Sequence, residues 1–213
     1  MSTLLKDLLA KALQENGYRF SATTQEQWLH FLAELQKWNQ VFNLTALTTP
    51  EDLVYLHILD SLIIFPYLRG TRLLDVGSGG GFPGIPLAIM DPSKNWVLLD
   101  KNQKKTRFLI QVIAELGLKN ITVVCKRCET FQSEHGFDSI LSRAFGTIKL
   151  FLETTKHLIH PEGYFLAMKG IYPEPELAEI PATFRLIDVQ KLIIRGRQAE
   201  RHLVRIQPQQ EAL

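Results

Sequence analysis

The sequence predicts an α/β fold, a mostly parallel sheet with an antiparallel C-terminal strand, preceded by a helical appendage. The hydrophobic period changes near residue 70, from helical spacing to short apolar runs that alternate with helical segments. A glycine-rich turn from Gly77 to Gly84 joins the first of those runs to a helix, as in a β-turn-α unit. The last two runs lie close enough along the chain to pair antiparallel. The boundary falls at 68/69, so residues 1–68 form the helical segment and 69–213 the sheet domain.

The first helix is read from Leu4, Leu5, Leu8, Leu9, Ala12 and Leu13, with Ser2 or Thr3 as cap and Gly17 as stop. The second opens at Thr24, with Gln27 in capping-box position, and carries Trp28, Leu29, Leu32, Leu35 and Trp38 along one side. A third starts at Thr49-Pro50-Glu51-Asp52. Thr49 caps it, Pro50 takes the tolerated first position, and two carboxylates face its positive end. The strands expected after residue 70 are Arg72 to Val76, Trp96 to Leu99, Ile121 to Val124, Phe137 to Leu141 and Tyr164 to Met168. Helices near Gly84 to Met90, Lys104 to Leu116 and Thr147 to His157 lie between them. Two further strands, Phe184 to Leu192 and His202 to Ile206, flank a basic loop over Ile193 to Arg201.

At 213 residues the chain is long enough to bury a substantial core. Its 46% hydrophobic and 22% charged content excludes disordered and collagen-like classes. Lys6, Asp7 and Lys11 interrupt the first apolar stripe, so no export signal is read there. The most apolar stretch, Leu53 to Leu68, contains His57, Asp60 and Pro66, so no membrane span is expected either. Two cysteines, Cys125 and Cys128, exclude a disulfide framework. A cytoplasmic location and a monomer are the expectations. The formal net charge of +2 announces no nucleic-acid partner, which must be argued from local clusters.

Gly79, Gly81 and Gly84 satisfy G-x-G-x-x-G, which by itself admits a dinucleotide. Pro83 and Pro86 remove two amide donors from the region where a pyrophosphate would dock. Asp75 adds a carboxylate that suits a ligand bearing an ammonium and a sulfonium. Asp100 ends the second strand 23 positions after Gly77, where α/β nucleotide sites hold a ribose diol. Its other reading is the cap of the following helix.

The register Asp75-x-Gly77-x-Gly79-x-Gly81 resembles the first motif of S-adenosylmethionine methyltransferases. The wider set resembles one family, the bacterial small-subunit ribosomal RNA guanine-N7 methyltransferases. That set is Asn43-Leu44-Thr45, His57-Ile58-Leu59-Asp60-Ser61-Leu62, Gly81-Phe82-Pro83-Gly84-Ile85-Pro86-Leu87, Lys104-Lys105-x-x-Phe108-Leu109, Ser142-Arg143-Ala144 and Lys169-Gly170. The resemblance implies a Rossmann-like class I methyltransferase sheet. It implies S-adenosyl-L-methionine as cofactor, S-adenosyl-L-homocysteine as product, no metal, and ribosomal RNA or the small subunit as partner. By the same resemblance Gly77 and Phe82 line the methionine end of the cofactor, Asp75 and Gly79 belong to the cofactor-binding set, and Asp100, Lys101 and Asn102 surround the ribose. Cys128 and Glu129 border the adenine, with Cys128 replacing the family's usual small aliphatic residue. Arg143 sits at the reacting centre, both cofactor-contacting and catalytic.

Guanine N7 carries a lone pair and no proton, so its methylation needs alignment and charge management rather than a general base. Arg143, at a strand's carboxyl end, is placed to reach guanine O6; its structural alternative is an ion pair with Glu129 or a surface carboxylate. His57 and Asp60, three apart, read either as a hydrogen-bonded pair fixing the helical segment or as a catalytic or metal pair. Cys125-x-x-Cys128 lacks the further ligands a zinc site needs. Lys101 to Arg107 and Arg185 to Arg205 are basic enough to meet phosphates. Rival functions are a nicotinamide-dependent oxidoreductase and a non-catalytic RNA-binding module with a vestigial nucleotide site.

Overall fold

The computed structural model describes residues 3–209. Helix α1 spans Thr3–Glu15; the alternative cap Ser2 lies outside the described residues. Helix α2 spans Ala22–Phe42, two residues ahead of the expected start. Its cap is Ser21, whose hydroxyl accepts the Thr24 amide at 3.1 Å, so Thr24 lies within the first turn. Ser21 has the extended backbone a cap needs. Asn43 closes α2 in the left-handed region, φ 49°, a conformation asparagine tolerates.

Thr49 caps the third helical run, accepting the Asp52 amide at 3.1 Å. That run is not a plain α-helix: Asp52–Leu59 is wound as a π-helix and passes into the short α3, Asp60–Leu62. π-Helical turns recur at functional sites because they re-aim side chains.

The sheet elements then follow as β1 (Arg72–Val76), α4 (Gly84–Met90), β2 (Asn95–Asp100), α5 (Gln103–Glu115), β3 (Ile121–Cys125), β4 (Phe137–Arg143), α6 (Ile148–Thr155), β5 (Ile159–Lys169), α7 (Glu174–Ala178), β6 (Phe184–Leu192) and β7 (Arg201–Pro208). Strand β5 begins five residues before the expected Tyr164, and the sequence pattern did not reveal α7. Seven strands lie in the order β3-β2-β1-β4-β5-β7-β6. The first five are parallel, and β7 runs antiparallel to both β5 and β6. The mixed sheet with its antiparallel end is the expected class.

Two-residue alternation divides the interior. Leu73, Leu98, Leu141 and Leu166 face a core shared with Leu9, Trp28, Leu32, Leu35 and Ile58 of the N-terminal helices. Their neighbours Leu74, Leu99, Ile140 and Phe165 face the opposite core, filled by Ile148, Phe151 and Leu152 of α6. Trp28 is fully buried, and its indole N–H donates to the Pro86 carbonyl at 3.1 Å, joining the helical segment to the start of α4. The N-terminal helices thus cover one face of the sheet and bring residues 45–60 to the carboxyl ends of β4 and β5.

A candidate cofactor cavity beside a candidate base pocket

The turn after β1 continues the sheet. The amides of Gly77 and Ser78 both donate to Leu99 O, and the Gly79 amide donates to Asp100 Oδ2 at 2.9 Å. Gly81 and Phe82 donate to Ser78 O, Ile85 to Gly81 O, and Gly84 to Asp75 Oδ2 at 2.9 Å. Gly77 and Gly84 are among the positions of the turn that need glycine. Gly77 lies at φ +69°, where an added Cβ would stand 3.0 Å from the Phe145 ring. A Cβ on Gly84 would come within 2.3 Å of Leu98.

Asp75 does not face solvent. It is completely buried, one oxygen pinning the start of α4 and the other without a hydrogen-bond partner among the described residues. Burial pushes its pKa up to about 7, against the opposing pull of the Gly84 amide and Arg143. The carboxylate expected to suit a cationic ligand is thus enclosed beneath the turn, where it organises the start of α4.

Beyond the carboxyl ends of β1, β2 and β4 opens a cavity of about 370 Å³. Gly77, Asp100, Lys101, Asn102, Cys128 and Glu129 all border it, with Val76, Leu99 and Leu150 as apolar lining. Asp100 is buried, its oxygens holding the amides of Gly79 and Asn102; the cap of α5 is Asn102, which accepts from Lys104 and Lys105. Burial pushes the Cys128 thiol up, and its Sγ donates to Glu129 Oε2 at 3.4 Å. The Glu129 carboxyl is held below its ordinary value by its own amide and that thiol. Sequence reasoning did not single out Lys105, Lys126 and Arg127 as cavity residues, and with Lys101 they leave its rim basic.

Asp75, Gly79, Phe82 and Arg143 do not border this cavity. Arg143 instead borders a second hollow of about 440 Å³, with Thr45, Leu56, His57, Asp60, Lys169 and Arg201. Ala144 borders both spaces and sits at φ +58°, a strained conformation for a residue with a Cβ.

The second hollow is held by a closed network. Asp60, 3% exposed, accepts from Arg143 at 3.3 Å and from Arg201 at 2.5 Å. Arg143 also donates to Leu56 O at 3.0 Å and approaches His57 Nδ1 at 3.2 Å, while His57 Nε2 meets Thr45 Oγ1 at 2.9 Å. Phe82 lies flat against His57, with centroids 4.0 Å apart and planes 6° apart, and the Arg143 guanidinium stands 5.1 Å from the Phe82 ring centre. Burial and Arg143 together lower the His57 pKa to about 3, so the ring is neutral. Burial lowers the Arg143 pKa, opposed by Asp60 and Asp75.

The expected His57 to Asp60 hydrogen bond is replaced by separate contacts from each residue to Arg143. The wider π-helical winding leaves side chains three apart short of a common face. Arg143 pairs with Asp60, not with Glu129 or a surface carboxylate. No one sequence motif links Asp60 to Arg201, because their positions differ by 141 residues. In the C-terminal basic segment Arg197 pairs with Asp52 and Arg205 with Asp188. Among the described residues, by contrast, Lys104 and Arg107 near the start of α5 form no ion pair. Cys125 and Cys128 are both free thiols.

Comparison with known proteins agrees in sequence and in fold. A family model described as rRNA small subunit methyltransferase G matches residues 24–204. The ribosomal RNA small subunit methyltransferase G of Nitrosococcus oceani is 45% identical over 98% of this chain and 97% of its own length. Its namesake from Pseudomonas aeruginosa is 49% identical over 93% of each chain. Among solved structures, the glycopeptide N-methyltransferase MtfA in complex with S-adenosyl-L-methionine superposes with a TM-score of 0.60, covering 72% of this chain and 88% of that one at 10% identity. A putative O-methyltransferase from Klebsiella pneumoniae gives 0.57 at 12% identity, covering 84% and 89%. At such identities these two likenesses concern the fold alone.

Proposed function

The chain belongs to the ribosomal RNA small subunit methyltransferase G family, and from that premise we propose that it transfers a methyl group from S-adenosyl-L-methionine to guanine N7 in 16S ribosomal RNA. Residues 69–213 act as the catalytic domain and residues 1–68 as a helical appendage that completes the base pocket. Among the described residues no helix is long and apolar enough to cross a membrane. A cytoplasmic monomer acting on RNA or the small subunit, without a metal, completes the proposal.

One observation carries the cofactor assignment. Seven of the amides between Gly77 and Ile85 are engaged inside the protein, and Pro83 has none to offer. A pyrophosphate needs such donors free, so the turn disfavours a dinucleotide and with it the nicotinamide reading. The cavity suits a nucleoside instead: its volume falls within the roughly 300–1,000 Å³ of small-ligand sites, with apolar lining and a few polar groups. Asp100 and Asn102 would hold the ribose, and Cys128 and Glu129 would flank the adenine. Gly77 would lie against the methionine portion, whose carboxylate suits the basic rim.

When bound, the cofactor supplies an electrophilic methyl group. The protein's own part is positional and electrostatic. Ala144, between the two spaces, marks where they meet. Arg143, fixed by Asp60, Leu56 O and Phe82, presents positive charge toward a base in the second hollow without needing to move. His57, its pKa lowered to about 3, is a weak base, and no proton has to leave N7, so the ring's environment fits this chemistry.

Incubation with labelled S-adenosylmethionine and either naked 16S RNA or 30S particles, followed by nucleoside mass spectrometry, tests the proposal. The expected product is 7-methylguanosine. Calorimetry is expected to show S-adenosylhomocysteine binding far more tightly than NAD. Labelling at another nucleoside would overturn the assignment of the base, and preferential NAD binding would overturn that of the cofactor.

A further inference from the structure

The motif Asn43-Leu44-Thr45 has a defined place in the hollow. Asn43 turns the chain out of α2, Leu44 is buried, and the Thr45 amide donates to Asn39 Oδ1 at 2.8 Å, fixing the backbone of Thr45. The side chain of Thr45 then borders the same space as Arg143.

The contacts of His57 with Arg143 and Thr45 give the Thr45 hydroxyl a direction. The Leu56 carbonyl beside the ring accepts from Arg143 at 3.0 Å, and an arginine can only donate, so His57 Nδ1, 3.2 Å from Arg143, is read as the acceptor. The ring is neutral, so its one N–H is on Nε2 and donates to Thr45 Oγ1 at 2.9 Å. Thr45 Oγ1 also accepts the Leu47 amide at 3.0 Å. Both lone pairs of the hydroxyl are therefore occupied, and its hydrogen finds no acceptor among the described residues. Arg143 through His57 to Thr45 forms a relay that ends in a donor bordering the hollow.

Guanine presents O6, an acceptor, where adenine presents an amino donor. We propose that Thr45 selects guanine at the reacting position by donating its hydroxyl hydrogen to the base's O6. This rests on the guanine reading above and adds a specificity-determining residue to it. An adenine in the same place sets donor against donor, the arrangement by which polar sites reject a wrong substrate. The relay makes the selection independent of a rotating hydroxyl: while His57 stays neutral, the O–H cannot turn into an acceptor.

The test pairs a protein change with a substrate change. Thr45→Val and wild type are compared on small-subunit RNA carrying either guanine or 2-aminopurine, which lacks O6, at the modified position. Any harm the valine does to the fold or to the relay lowers kcat/KM equally on both RNAs. The proposal expects the Thr45→Val penalty on guanine to exceed that on 2-aminopurine by about tenfold, the size of one neutral hydrogen bond. Thr45→Ser, which keeps the hydroxyl, is expected to behave like wild type on both, and calorimetry with S-adenosylhomocysteine should give the same affinity for all three proteins. Equal Thr45→Val penalties on the two RNAs would overturn the proposal. Wild-type protein that forms no 7-methylguanosine would instead overturn the guanine reading beneath it, and that result appears before any variant is compared.

Discussion

The two spaces that meet at Ala144 are built in opposite ways. The polar frame of the proposed cofactor cavity is local: Gly77, Asp100 and Asn102 belong to one β-turn-α-β unit in which Asp100 holds backbone amides a few residues or one strand away, and Cys128, Glu129 and Leu150 complete the lining from later parts of the sheet. The proposed base pocket is assembled from four parts of the chain, Thr45, His57 with Asp60, Arg143 and Arg201, and is held largely by side chains bonding to side chains. In the cavity the shape rests on backbone amides gathered by one carboxylate, Asp100. A pocket closed by one buried carboxylate between two guanidiniums fails as a unit.

The sharpest break of that comparison is Asp60→Ala. It leaves Arg143 and Arg201 without their shared partner, and loss of a buried ion-pair member costs about 3–5 kcal/mol. Urea unfolding should show this loss, and methyl transfer should disappear, while the folded protein keeps its S-adenosylhomocysteine affinity within about threefold. Equal damage to cofactor binding would mean the two spaces are not separable.

The pH dependence of stability sets the regions against each other. Asp75 has a folded pKa of about 7, above its ordinary 3.8, so the folded state binds more protons and Asp75 makes stability fall as pH rises between about 4 and 7. His57 has a folded pKa of about 3, below 6.5, so the unfolded state binds more protons and His57 makes stability rise over about pH 3 to 6.5. The slopes oppose, each at most about 1.4 kcal/mol per pH unit. Asp75→Asn should therefore expose a rising profile between pH 4.5 and 6, and His57→Gln a falling one, in chemical denaturation at stepped pH. Parallel profiles for the two variants would refute the assignment.

Smaller effects sharpen the local half. Gly84→Ala drives a Cβ into Leu98 and should cost about 1–3 kcal/mol by overpacking, with weaker S-adenosylhomocysteine binding in calorimetry. Ala144→Gly relieves a left-handed backbone and should change stability by under about 1 kcal/mol, with transfer nearly unchanged.

Legibility in the sequence follows the same division. β1, its glycine turn, α4 and Asp100 at the end of β2 are written in contiguous residues, and their periods and spacings placed them within a residue or two. The resemblance named Arg143, but nothing along the chain could show that its anchor is Asp60 or that Arg201 shares it, because those pairings arise only once β4 and β7 close against the π-helix. The buried position of Asp75 was hidden for a related reason: a carboxylate in a strand reads alike whether it faces a ligand or caps the next helix from inside. The displaced cap of α2 is a local ambiguity between Ser21 and Thr24, settled by which of them takes extended backbone.

The most direct measurement concerns Arg143, which the resemblance makes both cofactor-contacting and catalytic and which borders the second hollow but not the cavity. Arg143→Met keeps much of the contact with Phe82 while removing the charge, and the variant can be titrated with S-adenosylhomocysteine and assayed for methyl transfer in parallel. The account predicts transfer reduced by about a hundredfold or more, as for removal of an electrostatic stabiliser, with cofactor affinity within about threefold of wild type. Affinity lost in step with transfer would contradict it, because Arg143 would then belong to the cofactor cavity and the division at Ala144 would not exist.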